Sequence, residues 1–577
     1  MKKKVRALLA AVMAVSLTAC GAGTETAAPS AENQTVQEAS ETTASEASAT
    51  ETADNQTENG RGVTIAVASQ FTTLDPALNT ETVNEYVNYH LYSGLFRFDT
   101  NGEPQPELCE SYETSDDGLT WTFHLRDAQW SDGTPITAQD FEYSYLRVLS
   151  YGAENAYNCY DVVSVIDGAK DYNDRALAAQ ADGKEFDCTT EDHSGVGIKA
   201  TDDKTLVLTL MNPCTYLPRM LNSMCWMPVP QSTPQHDSLW SMEAGYPTSG
   251  PYTLAEFNQN EKAVLKKNPS YFKADEITMP EVTFLVMTDV DAQTVAFQAG
   301  DIDVANDISL DGAGQYIGTE NLWLQTGATN YFLAINSGKT GPAWAQDVNL
   351  RRAVALAIDK EAVVEILGGA EFYPVINGYI PYGFPDSNGE DFRTNGDNDG
   401  YTLTYDPEQA KALLAAAGYD ENNPLHIVYK YSTNGIHADV ATALQSMWAA
   451  VGIEAEFAAV EMGVFYDQLD AGDFELSRYG YSVNTSPVKY MELWTTGMQV
   501  VAAVDDPAFD QMIADIKAEP DPAKFLEKCH KAEDYLCEEN VYVIPLFQFN
   551  SPSLISSDLK GAECNLGELF FGHCHFE

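Results

Sequence analysis

The chain has 577 residues, with 86 Asp and Glu against 32 Lys and Arg, a formal net charge of −54. At 44% hydrophobic and 11% aromatic it has the makings of globular cores, which excludes a wholly disordered or fibrous protein. A phosphate-backbone partner needs clustered Lys and Arg to displace counterions, so this charge balance also excludes nucleic-acid binding. Residues 1–6 are short and basic, and residues 7–17 are apolar but too short to span a bilayer as a stable helix.

That apolar run ends in Leu17-Thr18-Ala19-Cys20-Gly21, which resembles the lipobox of bacterial lipoproteins. The resemblance implies removal of residues 1–19 and attachment of a diacylglyceryl group to Cys20. Residues 21–60 are Thr, Glu, Ala, Ser and Gln with almost no large apolar side chain, too little to offset the entropy of ordering. A coil of this length reaches roughly 35 Å. It reads as a tether between an anchored Cys20 and a body beginning at Arg61, the whole held outside the cytoplasm on the bacterial membrane without spanning it.

The body is longer than one core normally serves, so two or three lobes are expected. Strand-like runs occupy 63–68, 119–125, 205–210, 331–336, 425–431, 453–460 and 541–547. A capping box at Thr137 and Asp140 opens a helix through Leu149. One long amphipathic helix is expected over 347–367, stopped by Gly368-Gly369, and another opens at Asp406-Pro407 and closes at Gly418. The succession 425–431, 436–451, 453–460 is a β-α-β unit and predicts an α/β fold with a mixed or mostly parallel sheet.

A set of motifs then runs along the body in order. They are Leu74-Asp75-Pro76, Ser93-Gly94-Leu95-Phe96, the stretch from Gly118 to Arg126 with Trp121 and Phe123, and Trp130-Ser131-Asp132-Gly133-Thr134-Pro135 leading to Phe141. Ser249-Gly250-Pro251-Tyr252, Lys267-Asn268-Pro269-Ser270-Tyr271-Phe272, Gln298-Ala299-Gly300-Asp301, Arg351-Arg352-Ala353 to Asp359, and Tyr405-Asp406-Pro407 follow. Together these resemble the family 5 extracytoplasmic solute-binding proteins, the oligopeptide and dipeptide binders of ABC importers. The resemblance implies a type II periplasmic-binding-protein fold, two lobes joined by a hinge plus an inserted small domain. Its boundaries would be 61–104, 196–324 and 526–577 for the first lobe, 105–195 for the insertion and 325–525 for the second lobe. It further implies a monomer that captures a small peptide or similar solute and delivers it to permease subunits, with ATPases in other chains and no cofactor or metal of its own.

The turn at Trp130–Pro135 and the Arg351-Arg352 pair read as scaffold. For ligand contact the resemblance points to three segments: Ser69-Gln70-Phe71-Thr72-Thr73, the stretch with Asn330 and Tyr331, and Arg478 to Asn484 with Tyr481 between them. Peptide binders of this family carry an Asp for the ligand ammonium in the last segment, and the matching position here is Asn484, or a neighbour if the alignment gap before Pro487 shifts. Asn accepts a hydrogen bond but brings no charge. Either another acid serves, or the ligand is a non-peptide solute such as an opine, a metal chelate or an oligosaccharide. Arg478 falls where peptide binders carry an Arg, and its fork suits a carboxylate.

Nine cysteines remain beyond Cys20; Cys214 with Cys225 and Cys564 with Cys574 are candidate disulfides. Asn395-Gly396-Asp397-Asn398-Asp399-Gly400 imitates a calcium loop and reads as a polar surface loop, and His573-Cys574-His575 is at most a weak soft-metal cluster. A secreted hydrolase, the main rival, would need a nucleophile–base pair, and no such pattern is present.

Overall fold

The structure is a computed structural model that describes residues 60–577 apart from 100–101, 152–155, 236, 238, 395–401 and 497–503. Cys20, the tether and the calcium-like loop at 395–400 therefore lie outside the described residues.

A ten-stranded mixed sheet runs through the whole body. Its central pair, Leu322–Ile335 and Val543–Ile555, is antiparallel and exceptionally long. On one side of that pair lie Val304–Ala305, Val63–Val67, Glu281–Val286, Lys262–Lys267 and Tyr252–Asn258. On the other lie Leu476–Ser482, Leu425–Ser432 and Ile453–Val460. The parallel pairing of Leu425–Ser432 with Ile453–Val460 across helix His437–Ala449 is the expected β-α-β unit.

The apolar residues divide between two main clusters, which define the lobes. One gathers Val63, Phe71, Leu74, Trp130, Phe141, Tyr252, Phe284 and, from the far end of the chain, Leu569 and Phe571. The other gathers Phe332, Val354, Tyr429, Trp448, Phe465, Tyr479, Trp494 and Phe547. Where the sequence assigns 526–547 to the first lobe, the apolar residues of that stretch (Cys529, Leu536, Val543 and Leu546 among them) pack into the second cluster. The chain re-enters the first lobe only beyond Phe549. A four-stranded antiparallel sheet, Cys109–Thr114, Thr120–Leu125, Thr205–Thr209 and Ile198–Asp202, carries helices Ala138–Ser150, Ala156–Val165 and Ala169–Ala181 and shares the first cluster. This small unit runs past the expected limit of residue 195.

Between the lobes the central pair loses its register. Thr326 pairs with Asn550 and Asn330 with Gln548, so Gly327, Ala328 and Thr329 all stand opposite Phe549. A Cβ at Gly327 would come 2.8 Å from the Phe549 carbonyl oxygen, so only glycine fits without a shift. The buried Gln548 side chain bridges the gap, donating to the Gly327 carbonyl at 2.7 Å and accepting from the Tyr382 amide at 2.8 Å.

Two local expectations are corrected. The single helix over 347–367 is two, Val348–Leu356 and Lys360–Leu367, because the Asp359 side chain accepts from the Ala362 amide and caps a new start. All nine described cysteines are free thiols, so neither Cys214–Cys225 nor Cys564–Cys574 is bridged. Burial pushes the Cys214, Cys564 and Cys574 thiols up to about 12, so they pack as small apolar side chains.

Candidate functional site

On the first lobe the loop leaving strand Val63–Val67 is pinned at several points. The Ala68 amide donates to Asp307 at 2.8 Å, the Phe71 amide to the Gln259 carbonyl at 3.1 Å, and the Thr72 amide to Asn84 at 3.0 Å. Phe71 is fully buried against Phe257, with ring centroids 5.7 Å apart, which leaves Gln70 and Thr72 exposed on the loop. The base of the loop is fixed by Asp75, whose carboxylate takes both arms of Arg147 at 2.9 and 2.5 Å. Helix Thr82–Leu91, which supplies Asn84, extends the same wall with Glu85, Tyr86 and Tyr89. Beside Tyr89 stands Glu568, carried by a terminal hairpin of Glu563–Asn565 and Glu568–Phe570.

On the second lobe the cross-strand pairs Asn330–Tyr481 and Leu333–Arg478 set the geometry. The Asn330 amide is wholly engaged: it donates to the Tyr379 carbonyl at 2.6 Å and accepts from the Tyr481 amide at 3.1 Å. Asn330 thus fixes the strands. Tyr331 is buried and stacks on Phe547 with centroids 4.6 Å apart. Arg478 is also fully buried. It donates to the Ser432 hydroxyl and lies 4.5 Å over the Phe465 ring, yet its Nε and Nη1 have no hydrogen-bond partner, and among the described residues it forms no salt bridge. Burial, reinforced by Arg478, holds the neighbouring His437 down to about 2, so the imidazole is neutral and adds no charge to the cluster. Tyr481 and Asn484 are half-buried at the end of the same segment.

The lobes touch where Asn484 meets the first lobe. Arg219 Nε donates to the Asn484 carbonyl at 2.8 Å, and the Asn484 side-chain amide reaches Glu568 at 3.4 Å. Nearby, Lys489 lies 5.9 Å over the Tyr160 ring and the rings of Tyr216 and Phe525 stand 5.7 Å apart. Glu568 is half-buried and surrounded by protein. Burial pushes its carboxyl up to about 8 against the opposing pull of Tyr89 and Asn222, and burial with Glu81 pushes Glu85 up to about 7.

So the eight residues marked in the sequence fall into three groups. Gln70, Thr72, Tyr481 and Asn484 lie at accessible edges of the two lobes. Phe71 and Asn330 hold backbone in place, and Tyr331 and Arg478 are enclosed in the second lobe. Glu568, Glu85 and Arg219 are absent from the sequence reading.

Residues 103–500 match the model of the bacterial extracellular solute-binding proteins, family 5. The chain belongs to that family. It is 28% identical over 508 residues to the periplasmic oligopeptide-binding protein OppA of Escherichia coli, covering 85% of this chain and 88% of that one. It is likewise 28% identical over 499 residues to the dipeptide-binding protein DppE of Bacillus subtilis, covering 85% and 87%. Among solved structures, the unliganded open form of the murein tripeptide-binding protein MppA superposes with a TM-score of 0.76 at 25% identity, over 90% of this chain and 97% of that one. A peptide complex of OppA from Haemophilus influenzae scores 0.63 at 24% identity, over 90% and 100%. The fold is that of a two-lobed type II binding protein, and the better score goes with the open arrangement. The family's members are solute-binding proteins, and no helix among the described residues is long and apolar enough to cross a membrane.

Nothing in the primary sequence separates Glu568 from the many other acids. Its only local mark is the tight Leu566-Gly567 turn before it, with φ of 49° and 95°, and its partners Asn222 and Asn484 are remote in the chain.

Proposed function

We propose that this chain is the extracytoplasmic peptide receptor of an ABC importer, tethered to the membrane through a lipid on Cys20. It holds a short peptide between its lobes and presents the closed form to a permease whose subunits and ATPases are separate chains. The observation that carries this reading is the hinge. Two long strands that lose register at 326–330 and 548–550 join the lobes, and the family's ligand-contact segments lie on either side of that break. A peptide touching both lobes at once stabilises closure only through those shared contacts.

In this reading Gln70 and Thr72 offer the first lobe's loop to the peptide main chain, and Tyr481 and Asn484 offer the second lobe's. Asn330 and Phe71 are positioning residues. Arg478, a buried guanidinium short of partners, is the receptor for the ligand carboxylate once closure brings that group to it. The relatives named for oligopeptides and dipeptides support a peptide as the ligand. No residue is assigned a catalytic role, and the peptide leaves unchanged.

Thermal denaturation with an alanine series from di- to pentapeptide tests the reading. A peptide present at 100 times its Kd adds about 2.7 kcal/mol to the folded state and raises Tm accordingly. Absence of any shift across the series, with a shift from an opine, a metal chelate or an oligosaccharide, would replace the peptide by that solute. Recovery of a cleaved peptide would overturn the binding role itself.

A further inference from the structure

The family resemblance expects an acid at the ligand's amino end and finds Asn484. The folded chain supplies an acid beside it from the other lobe. Asn484 Nδ2 stands 3.4 Å from Glu568 Oε1, and this contact joins residues 84 positions apart across the space between the lobes. The Glu568 carboxylate is aimed by neutral donors: Asn222 Nδ2 reaches both of its oxygens, at 2.9 and 2.8 Å, and the Tyr89 hydroxyl hydrogen-bonds to it. The hairpin that bears it is tied down by Asn565, which donates to the Asp99 carbonyl at 2.8 Å.

Arg219 and Arg97 lie within electrostatic reach of this group, but among the described residues neither makes a salt-bridge contact with it. Arg219, the nearest guanidinium on the same lobe, spends Nε on the Asn484 carbonyl at 2.8 Å and Nη1 on the Gly102 carbonyl at 2.5 Å. Arg97 is engaged by the Tyr89 and Tyr92 carbonyls and by Glu107 at 3.5 Å. Among the described residues Glu568 forms no salt bridge, and the adjacent helix adds a second acid, Glu85, instead of a base. A carboxyl aimed by neutral donors at the junction of two lobes, with no cation in direct contact, leaves room for a cation that arrives from outside.

We propose that Glu568 is the acid that receives the ligand's α-ammonium, so that the charge provided by the second lobe in peptide binders of this family comes here from the first. Asn484 then accepts from the same ammonium through its side-chain carbonyl and keeps the two lobes in register over it. This inference rests on the peptide reading above and assigns the amino-end specificity of that site.

Calorimetric titration with the alanine series, free and N-acetylated, tests it. The wild type binds free peptides at least about 30-fold more tightly than their acetylated forms, the loss that follows from removing one member of an enclosed charge pair. Glu568→Gln lowers binding of the free peptides to the acetylated level and leaves the acetylated peptides unchanged. Adding Asn484→Asp to that variant returns the carboxylate from the opposite side and restores the preference, which a merely structural role of Glu568 would not do. Titration of the wild type in buffers of different ionisation enthalpy gives an answer without any substitution: free peptides release protons near neutral pH and acetylated ones do not. A Glu568→Gln protein that melts like the wild type and still prefers the free peptides overturns the assignment and leaves the peptide reading intact, as does equal proton release by both forms. Failure of every alanine peptide to bind the wild type takes both readings down together.

Discussion

Arg147 in the first lobe and Arg478 in the second are both fully buried guanidiniums, yet their surroundings differ in kind. Arg147 meets Asp75 through two hydrogen bonds of 2.9 and 2.5 Å, donates to the Pro234 carbonyl at 3.2 Å, and lies 5.1 Å over the Tyr151 ring. Arg478 has a hydroxyl, a thioether sulfur at 3.8 Å and an aromatic face, and two of its nitrogens have nothing. The contrast does not divide the lobes, because the second lobe also has a matched pair in Arg393 and Glu533 at 2.5 Å. It divides scaffold from the site proposed above. A charge whose partner is folded in with it fixes the chain, and a buried charge left without one is costly until something pairs with it, which is the role proposed for the ligand carboxylate.

The largest effect is expected where the match is broken. Asp75→Ala strands Arg147 in the core and loosens the loop that carries Gln70 and Thr72, with a cost of about 3–5 kcal/mol that calorimetric melting of the first lobe would register. A loss below about 1 kcal/mol would mean that Arg147 finds water or another acceptor, and the division between the two arginines would collapse. The second lobe should respond in the opposite direction. Arg478→Met removes unsatisfied donors from a closed pocket lined by Tyr331, His437, Phe465 and Tyr466, and the unliganded protein gains about 1–3 kcal/mol. The same substitution weakens binding of the alanine peptides by at least about 10-fold, because the carboxylate loses its fork. A variant that is both less stable and unimpaired in binding would show Arg478 to be scaffold.

How much of this was legible beforehand follows from the range over which each signal acts. The β-α-β unit at 425–460, the cap at Asp406 and the capping box of Thr137 with Asp140 are local, written in period and punctuation, and the folded chain has all of them. The break at Asp359 was written there too, as an Asp at the start of a helical run, but the apolar stripe runs through it and hides it. The register shift at Thr326–Asn330 depends on a partner strand more than two hundred residues away, so no window of sequence contains it. The site divides in the same way. Arg478, Tyr481 and Asn484 share one strand end and its exit, and a motif could mark them. Glu568 acquires meaning only when the terminal hairpin comes to lie between Tyr89, Asn222 and Asn484, and in a chain so rich in acids composition gives it no prominence.

The smallest effect expected is one of pH, and it tests the acidic side of the contrast. The groups facing Glu568 are Tyr89 and Glu85 from helix Thr82–Leu91, Arg97 from the strand that follows it, Arg219 and Asn222 from the segment after Tyr216, and Asn484 from the second lobe. Burial pushes Glu568 up to about 8 and Glu85 up to about 7, above the 4.5 of a free glutamate. Between those values the unfolded chain has released protons that the folded chain retains, so the contribution of these two carboxyls to stability falls as pH rises from about 5 to 8 and levels off beyond, while the depressed His437, His90 and Lys360 act in the opposite direction. Both carboxyls are half-buried, and residual solvent screening keeps the slope shallow. Chemical denaturation of the unliganded wild type and of Glu568→Gln at pH 5, 6, 7 and 8 should show the wild type losing stability relative to the variant as pH rises, because the amide has no proton to release. A free peptide bound at saturation should remove the Glu568 share of the decline up to the pH at which its own amine loses its charge, near 8, because the carboxyl is then ionised in both the folded complex and the unfolded chain. A wild-type stability that does not fall relative to Glu568→Gln as pH rises would mean that an internal cation already pairs with this acid, and Glu568 would then join Asp75 and Glu533 among the charges that serve the fold.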